Sequence, residues 1–397
     1  MARMTEAPIP TGKEAEELSQ LSVSLAHWHA QSWGGAEYLV TKLADVLEID
    51  QIHTIGTPDP DTDNPYGDVK WVDVTGGGLD TVKRQFGRAA EYALWEDVDW
   101  HQHGDPDILL SSGGTTRSVL TPGETLHVNY CHSPPRWLYD LYHERKGSLL
   151  GQLARPAIRY FRMRDQSVDS RVDAYFANSP IIQRRLWKYY KRESAVLYPP
   201  VALDRYEHEH DDGFFLHLGR LDAEKGVPEI VAAFEPREES ILFAGGRGDI
   251  NQETVDRIRR AGNMEYLGFV EESRKYELLA TCRAVVFNGI NEDFGIVPVE
   301  ANASGKPCLA RNEGFPGIFI EDGENGLLHD GSREGIRSAL DRLTGTAFDP
   351  ESIQSSTEPF SLTVFERRLR SSLAEQYGEM AARFESPEYD GVASESR

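Results

Sequence analysis

Short runs of β-branched and aromatic residues recur along the chain, separated by polar loops and by apolar positions at helical spacing. Strands are predicted over residues 21–27, 51–56, 69–74, 107–112, 125–132, 172–177 and 195–201. A second series opens at Phe214 and continues at 241–246, 264–270, 283–288 and 306–310. Helices are predicted from Gly34–Gly35 through about Leu47, up to Trp95, on both sides of the 172–177 strand, up to Cys282, and over 295–304. Such alternation builds doubly wound parallel sheets, so the fold class is α/β. Phe365, Leu369, Leu373, Tyr377 and Met380 keep helical period over 363–384.

The chain of 397 residues is long enough for two domains with separate cores. Pro199 and Pro200 stiffen the junction between the two series, and the acidic, His-rich stretch 204–213 completes the crossing. The expected layout is a disordered start (1–20), an N-terminal domain (21–200), a C-terminal domain (201–362), a terminal helix (363–384) and an acidic tail (385–397).

The candidate chemistry concentrates in residues 291–305, between two predicted strands. Glu292 precedes a short helix and Glu300 lies inside it. The free N–H groups of the first turn, at Gly295, Ile296 and Val297, form an anion site. An anion flanked by two hydroxyl acceptors suits a sugar nucleotide. Upstream, Arg220 and Lys225 stand at the C-terminal edge of the Phe214 strand, where an α/β sheet binds ligands. His132 ends another strand, broken by Pro134 and Pro135, and Asn178-Ser179 ends a third. The glycine pair Gly34–Gly35 lets backbone approach a ligand closely, but it is no GxGxxG and lacks a Walker lysine.

These residues resemble family-4 retaining glycosyltransferases, whose signature is Glu-x7-Glu and whose fold is GT-B. The likeness rests on Phe294-Gly295, Pro298-Val299-Glu300-Ala301 and Ser304-Gly305 around the Glu pair, and on Tyr130-Cys-His-Ser-Pro-Pro-Arg136. It extends from about Leu21 to Phe384. The resemblance implies two Rossmann-like domains facing across a cleft, with the terminal helix crossing back to the N-terminal domain. It implies that Arg220 and Lys225 hold the donor phosphates, Glu292 the sugar hydroxyls and Glu300 the ribose. Gly34 and Gly35 would face the diphosphate, His132 would touch donor sugar or acceptor, and Asn178-Ser179 would lie near the cleft. The implied reaction is sugar transfer from a UDP- or GDP-linked donor to an acceptor hydroxyl with retained configuration. Gly314-Phe-Pro-Gly317 departs from the family's tighter loop, so its sugar contacts are not carried over.

Charge refines the picture. The chain has 65 Asp and Glu against 42 Lys and Arg, for a net charge of −23, and only ten of the cations are Lys. This balance points to adaptation to concentrated salt and argues against a nucleic-acid partner. Residues 155–192 reverse the trend with ten cations and three acids. There Arg159, Arg162, Arg184 and Lys188 suit an anionic acceptor or a lipid surface, unless such cations pair with acids elsewhere.

Cys131, Cys282 and Cys308 are odd in number and far apart, which points to reduced thiols in a cytoplasmic protein, peripheral on a membrane at most. No apolar run is long enough to span a bilayer. The pairs His27-x-His29 and His101-x-His103 lack a third ligand at recognisable spacing, so no metal is expected, nor any cofactor beyond the nucleotide-sugar. Two alternatives stand beside transfer: a nucleotide-sugar epimerase of the same fold, and a catalytically silent nucleotide-sugar-binding scaffold.

Overall fold

The computed structural model describes residues 18–28, 34–56, 69–75, 88–142 and 155–384. Most of the expected disordered start, His29 and the acidic tail fall outside the described residues. The chain divides into two compact units, Met1–Pro199 with Phe365–Arg397, and Pro200–Val364.

The first unit is built on seven parallel strands: β1 (Val23–His27), β2 (Gln51–Thr54), β3 (Lys70–Asp73), β4 (Ile108–Ser112), β5 (Leu126–Cys131), β6 (Ala174–Ala177) and β7 (Ala195–Val196). Their spatial order is β3-β2-β1-β4-β5-β6-β7, so the chain reverses direction across the sheet between β1 and β4. Strands β4 and β5 are buried along their whole length, as a parallel sheet covered on both faces requires. The helices are α1 (Gly35–Leu47), α2 (Arg88–Glu96), α3 (Arg155–Asp169) and α4 (Pro180–Tyr190). Leu39 and Leu43 of α1 pack with Leu25, Ile52 and Leu110 in the core. Phe365, Leu369 and Leu373, from the terminal helix Leu362–Phe384, join the same cluster.

The second unit has six parallel strands: β8 (Phe214–Leu218), β9 (Ser240–Ala244), β10 (Met264–Gly268), β11 (Ala284–Phe287), β12 (Cys308–Arg311) and β13 (Gly326–His329). Their order is β10-β9-β8-β11-β12-β13, which puts the reversal between β8 and β11. The helices are α5 (Val227–Phe234), α6 (Gln252–Arg260), α7 (Glu272–Thr281), α8 (Ile296–Ala303), α9 (Pro316–Phe319), α10 (Arg333–Gly345) and α11 (Pro350–Ser355), and Leu362–Phe384 is α12. Phe215, Phe234, Phe243 and Ile336 are among its core residues.

Several elements differ from the sequence reading. Pairing by β7 stops at Val196, three residues before Pro199, because proline offers no N–H to a ladder. Strand β6 begins at Ala174, since Val172 N–H is spent on the Asp169 carbonyl in a turn. The pattern also missed β13, α10 and α11. Strand β13 is only four residues long, and α10 is announced mainly by its cap, Ser332 Oγ accepting Gly335 N–H.

Candidate active site

In the second unit the C-terminal strand ends carry charge. Strand β8 runs through Gly219 into a tight turn in which the Asp222 carboxylate accepts the Lys225 N–H at 2.8 Å. Gly226, at φ 62°, closes that turn against Asn288, whose side-chain amide donates to the Gly226 carbonyl. A Cβ at Gly226 would lie 2.6 Å from the Asn288 carbonyl oxygen, so only glycine fits. The turn therefore docks on the end of β11 and presents Lys225 to the loop that follows.

There the Lys225 ammonium pairs with the Glu292 carboxylate, both side chains being about one-fifth exposed. Arg220 is far more open and lies 3.4 Å from the buried Asp222 carboxylate. Phe315 N–H donates to the Glu292 carbonyl at 3.0 Å, and Gly314 passes so close to that backbone that a Cβ would meet the same oxygen at 2.3 Å. The unusual Gly-Phe-Pro-Gly loop thus braces the Glu292 backbone. Its Phe315 is buried and stacks on Phe294 at 5.0 Å.

Helix α8 starts at Ile296, after Gly295 in the left-handed region at φ 70°, and no side chain caps it. Ile296 and Val297 supply the first-turn N–H groups; Pro298 has none to give. Glu300 lies inside the helix and is buried. Its Oε1 accepts from the Tyr206 hydroxyl at 2.8 Å and from the Lys275 ammonium at 3.0 Å. Burial works against the charge on Lys275, but the Glu300 carboxylate outweighs it and raises the lysine's pKa. Sequence reasoning missed Tyr206 and Lys275, which lie 94 and 25 residues from Glu300 and share no motif with it.

The first unit presents a different chemistry. His27 and Ser112, partners in register, end β1 and β4, and His132 follows β5. His27 Nδ1 meets Ser112 Oγ at 3.1 Å, and the same oxygen meets His132 Nε2 at 2.8 Å. Glu37 of α1 approaches His27 Nε2 at 3.5 Å, close enough for charge to act although that nitrogen makes no hydrogen bond among the described residues. Gly34 precedes α1 with extended backbone, and a Cβ there would crowd the Glu37 carboxylate; Gly35 has open space around it. Asn178 donates its amide to the His132 carbonyl at 2.9 Å, while its buried Oδ1 has no hydrogen-bond partner among the described residues. Ser179 is spent elsewhere: fully buried, its Oγ caps α4 by accepting Ile182 N–H.

The basic stretch splits in two. Arg164 and Arg171 both pair with Glu96, and Arg185 lies 3.7 Å from Asp140. Arg162 also turns inward, donating to the Leu138 carbonyl beneath the Tyr142 ring, so part of its donor capacity is taken inside the unit. Arg159, Arg184 and Lys188 are exposed, with no acid partner among the described residues. Tyr160, Met163 and Trp187 stand exposed on the same two helices, α3 and α4. All three cysteines are buried, and none is joined in a disulfide among the described residues. Among the described residues no cluster of three or more metal-ligating side chains occurs, and no helix is long and apolar enough to cross a membrane.

Together these features define a class: a protein of two Rossmann-like α/β domains whose structural neighbours are GT-B glycosyltransferases. Residues 202–345 match the family described as Glycosyl transferases group 1. The Alpha-1,3/1,6-mannosyltransferase ALG2 of Dictyostelium discoideum is 23% identical over 295 residues, covering 61% of this chain and 68% of that protein. ALG2 of Rhizomucor pusillus is 21% identical over 357 residues, covering 75% of this chain and 76% of that protein. Among solved structures, Anabaena HepE in complex with UDP and glucose aligns with a TM-score of 0.66 at 17% identity, over 89% of this chain and 100% of that one. The chain is thus similar to glycosyltransferases, mannosyltransferases among them, and nothing in these likenesses favours the epimerase reading.

Proposed function

We propose that this chain is a retaining hexosyltransferase, moving a sugar from a UDP- or GDP-linked donor to an acceptor hydroxyl in lipid-linked or cell-envelope glycan synthesis. The observation that carries this reading is the Lys225–Glu292 pair, with Arg220 on the same turn as Lys225, in the loop that leads into the uncapped start of α8. A donor diphosphate takes the N–H groups of Ile296 and Val297 and draws the two cations. Fixed dipoles and positive charge then stabilise the leaving nucleoside diphosphate without a metal, a cofactor or a protein nucleophile. Drawing Lys225 to phosphate frees the Glu292 oxygens for the sugar hydroxyls. Glu300, held by Tyr206 and Lys275, keeps acceptor capacity on its second oxygen for the ribose. His132 is assigned to a sugar or acceptor hydroxyl, and the backbone at Gly34–Gly35 to the diphosphate. The leaving phosphate itself takes the acceptor's proton.

Two further parts of the reading rest on charge. The Lys-poor balance of 65 acids against 42 cations is assigned to work in concentrated salt, which screens self-repulsion. Arg159, Arg184 and Lys188, with exposed Tyr160, Met163 and Trp187, are assigned to an anionic membrane surface on the cytoplasmic side.

The test is to screen the protein in molar KCl against UDP- and GDP-sugars by thermal shift, then follow release of free nucleoside diphosphate. Release only with acceptor present, giving a product of unchanged anomeric configuration, supports retaining transfer. Binding without release favours a silent scaffold, and conversion of the donor sugar without acceptor favours an epimerase. Equal pelleting of the wild type and an Arg159/Arg184/Lys188→Ser variant with anionic vesicles would remove the membrane assignment.

A further inference from the structure

The Glu37 carboxylate lies 3.5 Å from the buried His27 ring, which is joined through the buried Ser112 hydroxyl to His132. We propose that Glu37, His27 and Ser112 are positioning residues that hold His132 as its Nε2–H tautomer, so that Nδ1 is the acceptor offered to a sugar hydroxyl. This rests on the reading of His132 as a sugar-facing residue.

A hydroxyl donates one hydrogen bond, so Ser112 Oγ, placed between two imidazole nitrogens, can donate to only one of them and must accept from the other; it donates to whichever ring presents a bare nitrogen. If His27 donated from Nδ1, a neutral ring would leave a bare Nε2 lone pair facing the Glu37 carboxylate. That juxtaposition is repulsive. The opposite order puts His27 Nε2–H toward Glu37, lets Ser112 donate to His27 Nδ1, and makes Ser112 accept His132 Nε2–H. His132 Nδ1 then carries the lone pair, and the ring's hydrogen bond among the described residues is made by Nε2. Burial keeps the His27 pKa below its ordinary value despite Glu37, and burial with His27 nearby lowers His132 to about 3, so both rings are neutral near pH 7.

The rest of the neighbourhood keeps the ring in place. The Asn178 amide holds the His132 carbonyl, Trp28 stacks on the imidazole at 6.5 Å between centroids, and Tyr130 packs against it at 5.3 Å. Backbone and ring are thus fixed independently of the proton order, which leaves the tautomer to the Glu37 end of the chain. A site prepared to accept from a hydroxyl discriminates against an analogue lacking it, because the acceptor facing the analogue would go unpaired.

The experiment is nitrogen-15 NMR of the full-length protein labelled at histidine, with the His132 signals assigned by their loss in His132→Gln. The expected wild-type result is a protonated, pyrrole-like Nε2 and a bare, pyridine-like Nδ1. Ser112→Ala should populate both tautomers and Ser112→Thr should restore one; kcat/KM should fall roughly tenfold in the first and recover in the second. A protonated Nδ1 in the wild type, or an unchanged tautomer in Ser112→Ala, overturns the proposal. The wild-type spectrum decides the matter even if Ser112→Ala fails to fold. Wild-type transfer by His132→Gln would overturn the offer to a sugar and the sugar-facing reading, whatever the tautomer. A wrong tautomer with an inactive His132→Gln overturns the proton order alone.

Discussion

In the first unit the strands on either side of the sheet's reversal, β1 and β4, end in His27 and Ser112, buried and joined by a hydrogen bond. In the second unit β8 and β11 lead into loops that hold Lys225 and Glu292, paired as ions. Both pairs stand at the switch point, where two neighbouring connections leave on opposite faces and open a crevice. The difference follows from burial. His27 and Ser112 are out of water, where an uncompensated charge costs several kcal/mol, and neutral groups can share protons there. Lys225 and Glu292 keep about a fifth of their surface in solvent and remain charged at modest cost. Shared topology therefore sets where chemistry is placed, and depth of burial sets which chemistry it is.

Acid should separate the two units most. Burial lowers His53 and His127 to about 4 and His132 to about 3 in the first unit, and lowers His27 as well. In the second unit it brings His217 and His329 to about 4 and lowers His208. An unfolded histidine takes its proton near pH 6.5, before the folded one does. Stability is therefore fully present above that pH and falls on acidification until the folded pKa is passed. Each such group contributes a slope of at most about 1.4 kcal/mol per pH unit in that window. All seven tryptophans lie at or before Trp187, so their fluorescence reports the first unit alone. That signal should unfold at higher pH than the far-UV helix signal of the whole chain. Coincident transitions would mean that the two units do not differ in this way.

The next prediction tests burial inside the first unit, which does contain one deeply buried ion pair. Arg117 and Asp165 are both out of water, and the Tyr92, Tyr139 and Tyr190 hydroxyls also donate to the Asp165 carboxylate. Asp165→Asn should cost about 3–5 kcal/mol, because it leaves a guanidinium buried without its counter-charge. A loss under about 1 kcal/mol in denaturant titration would show that depth of burial is not what separates the two units' chemistry.

The smallest effect on stability, though not on activity, is expected in the second unit. Lys225→Ala and Glu292→Gln should melt within a few degrees of wild type, since partly exposed pairs contribute little to folding. The activation barrier for transfer should nevertheless rise by roughly 2–4 kcal/mol, as when one oxyanion donor is removed. Wild-type turnover in both variants would remove the proposed site.

Much of this was legible in the residues themselves. Apolar runs such as Ala284–Phe287 are strands because a parallel sheet buries both faces, and the α/β class followed from their alternation with helical segments. The helix expected over 295–304 is α8, entered through Gly295 in the left-handed region. The Glu pair was visible from its spacing and its neighbours in sequence. What surrounds it was not. Tyr206 and Lys275 reach Glu300 from 94 and 25 residues away, and Ser112 reaches His27 across 85. The inward turn of Arg162 depends likewise on the Leu138 carbonyl beside it. Local sequence determines backbone preference and which residues prefer to be buried, because these depend on neighbours along the chain. Partners, protonation and the choice between a buried neutral chain and a half-exposed ion pair depend on which strands become neighbours in space, and only the tertiary structure decided that.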